Sequence, residues 1–209
     1  DAFELEAQLA GTPKEYFLNE IKKVINKASF TYVRQRYMLG LGHAVLTGEP
    51  LIGDEPFAVI LADDLCDSDS ESVLSQMIEI FKVHQCSIIA IEEVPMDQVD
   101  KYGIISGNLI ENSDNVYKVT DMIEKPDLKN APSNLAIIGR YILTPDIFNI
   151  LKKVTPDKNK EIQITDAILS QAKKGKVLAY KFNGDRFDCG SIEGYYKATK
   201  HLAEKTGII

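Results

Sequence analysis

The chain has 209 residues, of which 44% are hydrophobic and 26% charged, and its net charge is -7 at pH 7. This is the size and composition of a globular protein that buries one substantial core. The acidic balance argues against a broad nucleic-acid surface, because binding to a phosphate backbone needs clustered Lys and Arg. No stretch has the length of a membrane span or the pattern of a signal peptide, so we predict a cytoplasmic protein. Cys66, Cys86 and Cys189 lie too far apart for a disulfide framework or a metal-ligand pair, and we expect reduced thiols.

The first half of the chain predicts two helices and then a strand-helix-strand unit. Apolar spacing over residues 1–27 is helical, with a break at Gly11-Thr12-Pro13. A β-rich run follows at 30–33. The continuous apolar run 57–61 predicts a strand covered on both faces, as in a parallel sheet. A helical pattern from Asp69 and a second strand at 87–91 complete a unit for which a right-handed parallel crossover is expected.

The second half predicts an antiparallel excursion and further strands and helices. Two β-like runs within 102–122 surround the turn-forming residues 112–115. Thr144-Pro145-Asp146 reads as an N-cap, a proline at the first helical position and an acid in the first turn. The other predicted elements are strands at 135–143 and 177–182, a helix at 161–174 closed by Gly175, and a helix from Ser191. The fold class is therefore α/β, with antiparallel additions and a terminal helix.

A glycine pair stands at Leu39-Gly40-Leu41-Gly42-His43, where the backbone can approach a ligand closely. Val45 occupies the place of the third glycine of a dinucleotide fingerprint, and no Gly-Lys-Ser/Thr follows as in a P-loop. The pattern fits both a ligand contact and a tight turn entering a helix.

Carboxylates follow two of the predicted strands. Asp63 and Asp64 come directly after an apolar strand, and ligands of open α/β sheets bind outside the carboxyl ends of strands. Asp188, beside Gly190, lies between a strand and a helix. These acids are candidate ligands for Mg²⁺, which prefers hard oxygen ligands. The alternatives are capping acids on a solvated loop and an ordinary turn aspartate. Cys189 has no partnered base, which argues against nucleophilic catalysis.

Glu124-Lys125-Pro126 follows a β-like run, and Pro126 stiffens its exit. The lysine is a suitable point charge for a phosphate, and the glutamate can accept hydrogen bonds from sugar hydroxyls. The alternative is a surface ion pair.

Together and in this order, the motifs resemble those of the bacterial UTP:glucose-1-phosphate uridylyltransferases, a family of sugar nucleotidylyltransferases. The motifs that carry the resemblance are Val33-Arg34-Gln35, Leu39-Gly40-Leu41-Gly42-His43-Ala44, Val59-Ile60-Leu61-Ala62-Asp63, Tyr102-Gly103, Glu124-Lys125-Pro126, Pro132-Ser133-Asn134-Leu135-Ala136, Gly139-Arg140-Tyr141, Glu161-Ile162-Gln163-Ile164-Thr165-Asp166-Ala167 and Asp188-Cys189-Gly190. They extend over essentially the whole chain.

The resemblance implies a mixed, mostly parallel Rossmann-like sheet and a set of site residues. The implied roles are uracil contacts for Gln35 and Gly40, Mg²⁺ ligation by Asp63 and Asp188, glucose hydroxyl contacts for Gly103 and Glu124, a phosphate contact for Lys125, and a sugar pocket around Ala136 and Ile137. Lys125, Asp63 and Asp188 would be the catalytic residues. Asp64, where the family pattern differs, is a lesser metal candidate.

The implied reaction joins UTP and glucose 1-phosphate into UDP-glucose and pyrophosphate, with Mg²⁺ as cofactor. The implied partners are these small molecules and further copies of the chain, with no nucleic acid and no membrane. Two alternatives stay open: a sister enzyme using dTTP or another sugar, and a non-catalytic sugar-nucleotide sensor. Family members begin with a strand and a Gly-rich triphosphate loop that do not precede Asp1. We therefore expect residues 1–209 to form a single domain that lacks these parts, belongs to a longer protein and is inactive alone.

Overall fold

The computed structural model describes residues 3–209, which divide into two compact units. The first unit ends at Arg34 and contains helices α1 (Phe3–Leu9) and α2 (Glu15–Ile25). Both predicted helices and the break between them are confirmed; the first two residues of the prediction lie outside the described ones. The strand predicted at 30–33 is wrong, because this segment is not part of any strand and Phe30 and Tyr32 are exposed.

The second unit, Gln35–Ile209, is a mixed α/β fold. Its strands are β1 (Phe57–Ile60), β2 (Asp64–Asp67), β3 (Ser87–Glu93), β4 (Gly103–Leu109), β5 (Val116–Glu124), β6 (Leu135–Leu143), β7 (Val177–Lys181) and β8 (Asp185–Asp188). Its α-helices are α3 (Gly40–Thr47), α4 (Glu49–Ile52), α5 (Val73–His84), α6 (Asp146–Leu151), α7 (Ile164–Ala172) and α8 (Ile192–Lys205), with a 3-10 helix at Met96–Lys101.

Six strands form the main sheet, in the order β1-β6-β3-β7-β5-β4 with a further β6–β4 pairing. The α/β class is confirmed, but the expectation of mostly parallel pairing is wrong. Among the described strands only β3 and β7 are parallel neighbours. β1 and β3 run in the same direction, yet β6 lies between them and is antiparallel to both. The predicted strand-helix-strand unit therefore joins two strands that are not adjacent.

Strand β1 is also less covered than its sequence predicts. Its residues alternate between half-buried and exposed, and Ile60 is 54% exposed. Because β1 lies at the edge of the sheet, an apolar run here does not mean cover on both faces.

Helices cover the main sheet and bury two apolar clusters. The larger cluster includes Val45 of α3, Phe148 of α6 and Ile168 of α7 packed with residues of the strands. The second includes Met77 of α5. Helix α6 is capped by Pro145 rather than by the predicted Thr144, whose hydroxyl donates to Asp146 Oδ1 at 2.6 Å.

Strands β2 and β8 form a separate two-stranded antiparallel ribbon. In its register Asp64 is paired with Asp188. The ribbon therefore joins the residues that follow β1 to those that precede α8, and it brings together the two carboxylate motifs found in the sequence.

Candidate active site

Most of the predicted site residues line one cavity of about 440 Å³. They are Gly40, Asp63, Gly103, Glu124, Lys125, Ile137 and Asp188. Gln35 and Ala136 are not among the lining residues. Ala136 is fully buried in β6, in a small core cluster with Val94 and Ile104. The clustering of residues so distant in sequence indicates a functional site.

Asp63 and Asp188 face the same small volume. An atom at the Cβ position of Gly190 would lie 3.1 Å from Asp188 Oδ1 and 3.4 Å from Asp63 Oδ2. The backbone ties the two segments together, since the Cys189 N–H donates to the Asp63 carbonyl at 2.7 Å. Within residues 3–209 no three metal-binding side chains converge. Two carboxylates fit Mg²⁺, because this ion commonly has one or two protein carboxylates as ligands and takes its other ligands from phosphates and water.

Asp64, the lesser metal candidate, has a structural role instead. Its Oδ2 accepts from the Gly139 N–H at 2.5 Å, and its Oδ1 accepts from Arg186 Nε at 2.5 Å. Its residue is 7% exposed, whereas Asp63 is exposed. Because both carboxylate oxygens are already bonded, the structure favours Asp63 over Asp64 for a cation.

Glu124 is fixed on the wall of the cavity beside Gly103. The two residues are paired in the β4–β5 register, and the Thr165 hydroxyl donates to Glu124 Oε2 at 2.5 Å. A Cβ on Gly103 would lie 3.1 Å from the same oxygen. Since Oε2 has a protein donor, Glu124 Oε1 is the oxygen left for a ligand hydroxyl.

Lys125 follows directly, with an exposed side chain and a left-handed backbone (φ +44). Its N–H donates to the Tyr102 carbonyl at 3.0 Å, and Pro126 behind it is buried. A non-glycine residue in this conformation is strained, and such strain is often found at functional sites.

The glycine pair forms the start of α3 and holds a neighbouring loop. Gly42 N–H donates to the Ile162 carbonyl at 2.9 Å, and a Cβ there would lie 2.6 Å from that oxygen. Gly40 has φ +85, and a Cβ there would lie 2.9 Å from Glu161 Cβ and 3.0 Å from the Ile162 carbonyl oxygen. Gln35 Nε2 donates to the Gly40 carbonyl at 3.2 Å. The motif is a tight turn entering a helix, and Gly40 also lines the cavity; a ligand contact at Gly40 stays a prediction.

Several residues that line the cavity were not predicted as site residues, among them Tyr141, Thr165 and Arg186. Burial raises the pKa of the Tyr141 phenol, and Glu124 and Asp64 add to this effect. Tyr141 and Thr165 belong to motifs that carry the family resemblance, and this membership is the sequence feature that could have pointed to them as site residues. Arg186, two residues before Asp188 in β8, gave no signal of its own, because an arginine in a short polar segment is usually solvated.

The comparisons with known proteins agree with this fold. A family model described as nucleotidyl transferase matches residues 9–205, and the chain belongs to that family. Within it, the chain is 55% identical over 210 residues to a UTP–glucose-1-phosphate uridylyltransferase of Pseudomonas aeruginosa, covering 99% of the chain and 75% of the relative. Nucleotidyl transferases generally use divalent metal ions. None of the helices described within residues 3–209 is long and apolar enough to span a bilayer.

Solved structures give the same grouping. An apo UDP-glucose pyrophosphorylase superposes with a TM-score of 0.90 at 56% identity, covering 99% of this chain and 75% of that one. A UDP-glucose pyrophosphorylase complexed with UDP-glucose superposes with a TM-score of 0.87 at 54% identity, covering 98% and 78%.

Proposed function

We propose that this protein transfers a uridylyl group from UTP to glucose 1-phosphate, forming UDP-glucose and pyrophosphate. The observation that carries the proposal is that two convergent carboxylates, a lysine and a fixed glutamate line a single cavity. These are the groups needed to bring two polyanions together and to orient a sugar.

In this proposal, separate groups of residues at and beside the cavity hold the base, the sugar and the phosphate. Gln35 and Gly40 contact the uracil. Gly103, Glu124 and the backbone around Ala136 and Ile137 hold the glucose, with Glu124 Oε1 accepting from a hydroxyl. Lys125 binds the phosphate of glucose 1-phosphate. The location of Gly40 and Glu124 in the same cavity supports this division, because base and sugar must occupy one site for transfer between them.

In the reaction, an oxygen of the glucose 1-phosphate phosphate attacks the α-phosphorus of UTP in line. A new P–O bond forms, the bond from the α-phosphorus to the bridging oxygen breaks, and pyrophosphate leaves with that oxygen. No covalent protein intermediate is required, which suits a site with no partnered nucleophile. Lys125 orients and neutralises the attacking phosphate. Mg²⁺ bound by Asp63 and Asp188 would supply charge neutralisation at the α-phosphate.

The same proposal covers the organisation of the protein. Residues 1–209 form one nucleotidylyltransferase domain, supported by a family match that extends across both compact units. The chain assembles with copies of itself. It works in the cytoplasm, in keeping with cysteines that are free in the structure.

The test measures pyrophosphate release and UDP-glucose formation by the full-length gene product with glucose 1-phosphate, Mg²⁺ and either UTP or dTTP. We expect turnover with UTP to exceed turnover with dTTP. Asp188→Asn should abolish it, whereas Asp185→Asn, an exposed residue on the same strand, should not. A preference for dTTP would make the protein a sister enzyme. Binding of UDP-glucose without any turnover would make it a sensor.

A further inference from the structure

Arg186 lies at the centre of a charged cluster beside the candidate site. Its side chain is 7% exposed. Nε contacts Asp64 Oδ1 at 2.5 Å, Nη1 contacts Glu92 Oε1 at 2.8 Å and the Tyr102 hydroxyl at 3.2 Å, and Nη2 lies 4.0 Å from Asp188 Oδ2. The guanidinium also lies over the Tyr102 ring, 5.0 Å from its centroid. One planar group thus connects four segments of the chain.

The connection matters because the ribbon that carries the carboxylates is separate from the main sheet. Asp64 and Arg186 belong to the ribbon, Glu92 belongs to β3 and Tyr102 precedes β4. Arg186 therefore fastens β8 to the main sheet just before Asp188. Through Asp64, whose other oxygen is bonded to the Gly139 N–H, it also fastens the strand that follows Asp63.

Arg186 is shared between two acids. Asp64 and Glu92 are two acids against one guanidinium, and burial raises the pKa of Glu92 although Arg186 offsets part of that rise. The Arg186 guanidinium lies 2.5 Å from Asp64 and 2.8 Å from Glu92, but 4.0 Å from the Asp188 carboxylate. Asp188 keeps its carboxylate directed toward the volume that it shares with Asp63.

We propose that Arg186 is a positioning residue, which holds Asp188 and the segment of Asp63 at the separation needed to bind a divalent cation. The proposal rests on the proposed metal role of Asp63 and Asp188. It deepens that role by assigning the geometry of the pair to the fork of a guanidinium, which a lysine cannot reproduce.

A purely electrostatic role predicts the opposite result from a positioning role. A positive group 4.0 Å from Asp188 repels a bound cation, so removing its charge alone would tighten metal binding. Loss of positioning would weaken it, because groups that orient metal ligands typically change affinity by about 10- to 100-fold.

Two variants separate these effects. Arg186→Lys keeps the charge and loses the fork. The double variant Arg186→Met with Glu92→Gln removes one charge of each sign, so that the net charge of the cluster stays the same and Glu92 is not left as an acid without its cation. Asp64 loses its ion pair but keeps the bond from the Gly139 N–H. Asp67→Asn serves as the control, since Asp67 lies at the far end of the same ribbon, where it bonds to His201 and Lys205.

The experiment measures the Kd of Mn²⁺ by electron paramagnetic resonance with the full-length protein in the presence of UDP-glucose, together with kcat, KM for UTP and thermal stability. We expect both Arg186 variants to raise the Kd of Mn²⁺ at least about tenfold and to lower kcat with little change in KM for UTP. Asp67→Asn should keep the wild-type Kd of Mn²⁺ while losing about as much thermal stability as the Arg186 variants.

The outcomes also distinguish this proposal from the proposed function. If Asp188→Asn binds Mn²⁺ as tightly as wild type, the metal assignment itself fails. If Asp188→Asn loses Mn²⁺ while a folded Arg186→Lys or double variant binds it as tightly as wild type or more tightly, Arg186 has no positioning role. Should Arg186→Lys not fold, the double variant alone decides between these results.

Discussion

A methyl group at Gly103 tests the sugar side of the cavity with little disturbance elsewhere. Its added Cβ would lie 3.1 Å from Glu124 Oε2, 3.2 Å from Ile137 Cδ1 and 3.5 Å from Thr165 Oγ1. The first two distances are tighter than ordinary contacts, so the carboxylate has to move by a few tenths of an ångström. The backbone N–H of residue 103 is kept. Gly103→Ala therefore displaces Glu124 and leaves the strand in place.

The size of the effect follows from the hydrogen bonds of Glu124. A hydrogen bond to a charged group contributes about 1.5–3 kcal/mol, and a displaced carboxylate weakens such a bond without removing it. A loss of roughly 1 kcal/mol corresponds to about a fivefold change in an equilibrium constant. We expect KM for glucose 1-phosphate to rise about fivefold, KM for UTP to stay within about twofold, and overpacking to lower stability by about 1 kcal/mol.

Initial-rate kinetics with each substrate varied in turn, and denaturant unfolding, measure these quantities. Gly48→Ala is a matched control, because its Cβ would lie 3.2 Å from the Val45 carbonyl and 3.3 Å from Ile52 Cδ1, outside the candidate cavity. It should lose similar stability and keep both KM values. An equal rise of both KM values in Gly103→Ala, or a loss of stability with unchanged kinetics, would refute the assignment of Gly103 and Glu124 to the sugar.

Three further predictions concern single side chains. Lys125→Ala in the full-length protein should reduce kcat/KM for glucose 1-phosphate at least about a hundredfold, since an ionic contact to the phosphate is lost; wild-type kinetics would exclude that contact. Burial raises the pKa of the Cys66 thiol to about 11. At pH 8 Cys66 should therefore be alkylated about a hundredfold more slowly in the native than in the unfolded protein, as peptide mapping after iodoacetamide treatment would measure. Hydrogen bonds from Lys205 and His201 lower the pKa of Asp67 below its ordinary 3.8, so its stabilising effect is present above that value and is lost as pH falls through the lower native pKa. Asp67→Asn should lower Tm at pH 7 and flatten the fall in Tm toward pH 3; parallel Tm curves for the two proteins would contradict this.

The elements that sequence predicted best are those whose signals are local. Strand β6 matches its predicted bounds, because nine mainly apolar residues are followed directly by Thr144 and Pro145, where the next helix begins. Helix α8 begins after Ser191, whose hydroxyl accepts from the Gly194 N–H. Which strands pair with each other, and in which direction, was predicted less well. An apolar edge strand such as β1 has the same composition as a buried parallel strand, and only its neighbour β6 distinguishes them.

In the candidate site, too, local sequence alone does not distinguish residues with different surroundings. Asp63 and Asp64 are adjacent carboxylates with equivalent local sequence. What separates them is non-local: the Gly139 N–H and Arg186 bond to Asp64, while Asp63 is exposed beside Gly190. Family resemblance chose Asp63, and the hydrogen bonds now give a physical reason for that choice.

The backbone at Lys125 holds the base of a long, flexible side chain in one position. The residue before a proline is sterically restricted, and a positive φ at a non-glycine residue costs on the order of 1–3 kcal/mol. The bond from the Lys125 N–H to the Tyr102 carbonyl and the burial of Pro126 hold this conformation. Tyr102 precedes Gly103, which faces Glu124, so the same short segment fixes the lysine, the glycine and the glutamate. Because the strain lies in the backbone, truncating the Lys125 side chain leaves these supports in place, and a loss of activity in Lys125→Ala would report the lost charge rather than a collapsed site.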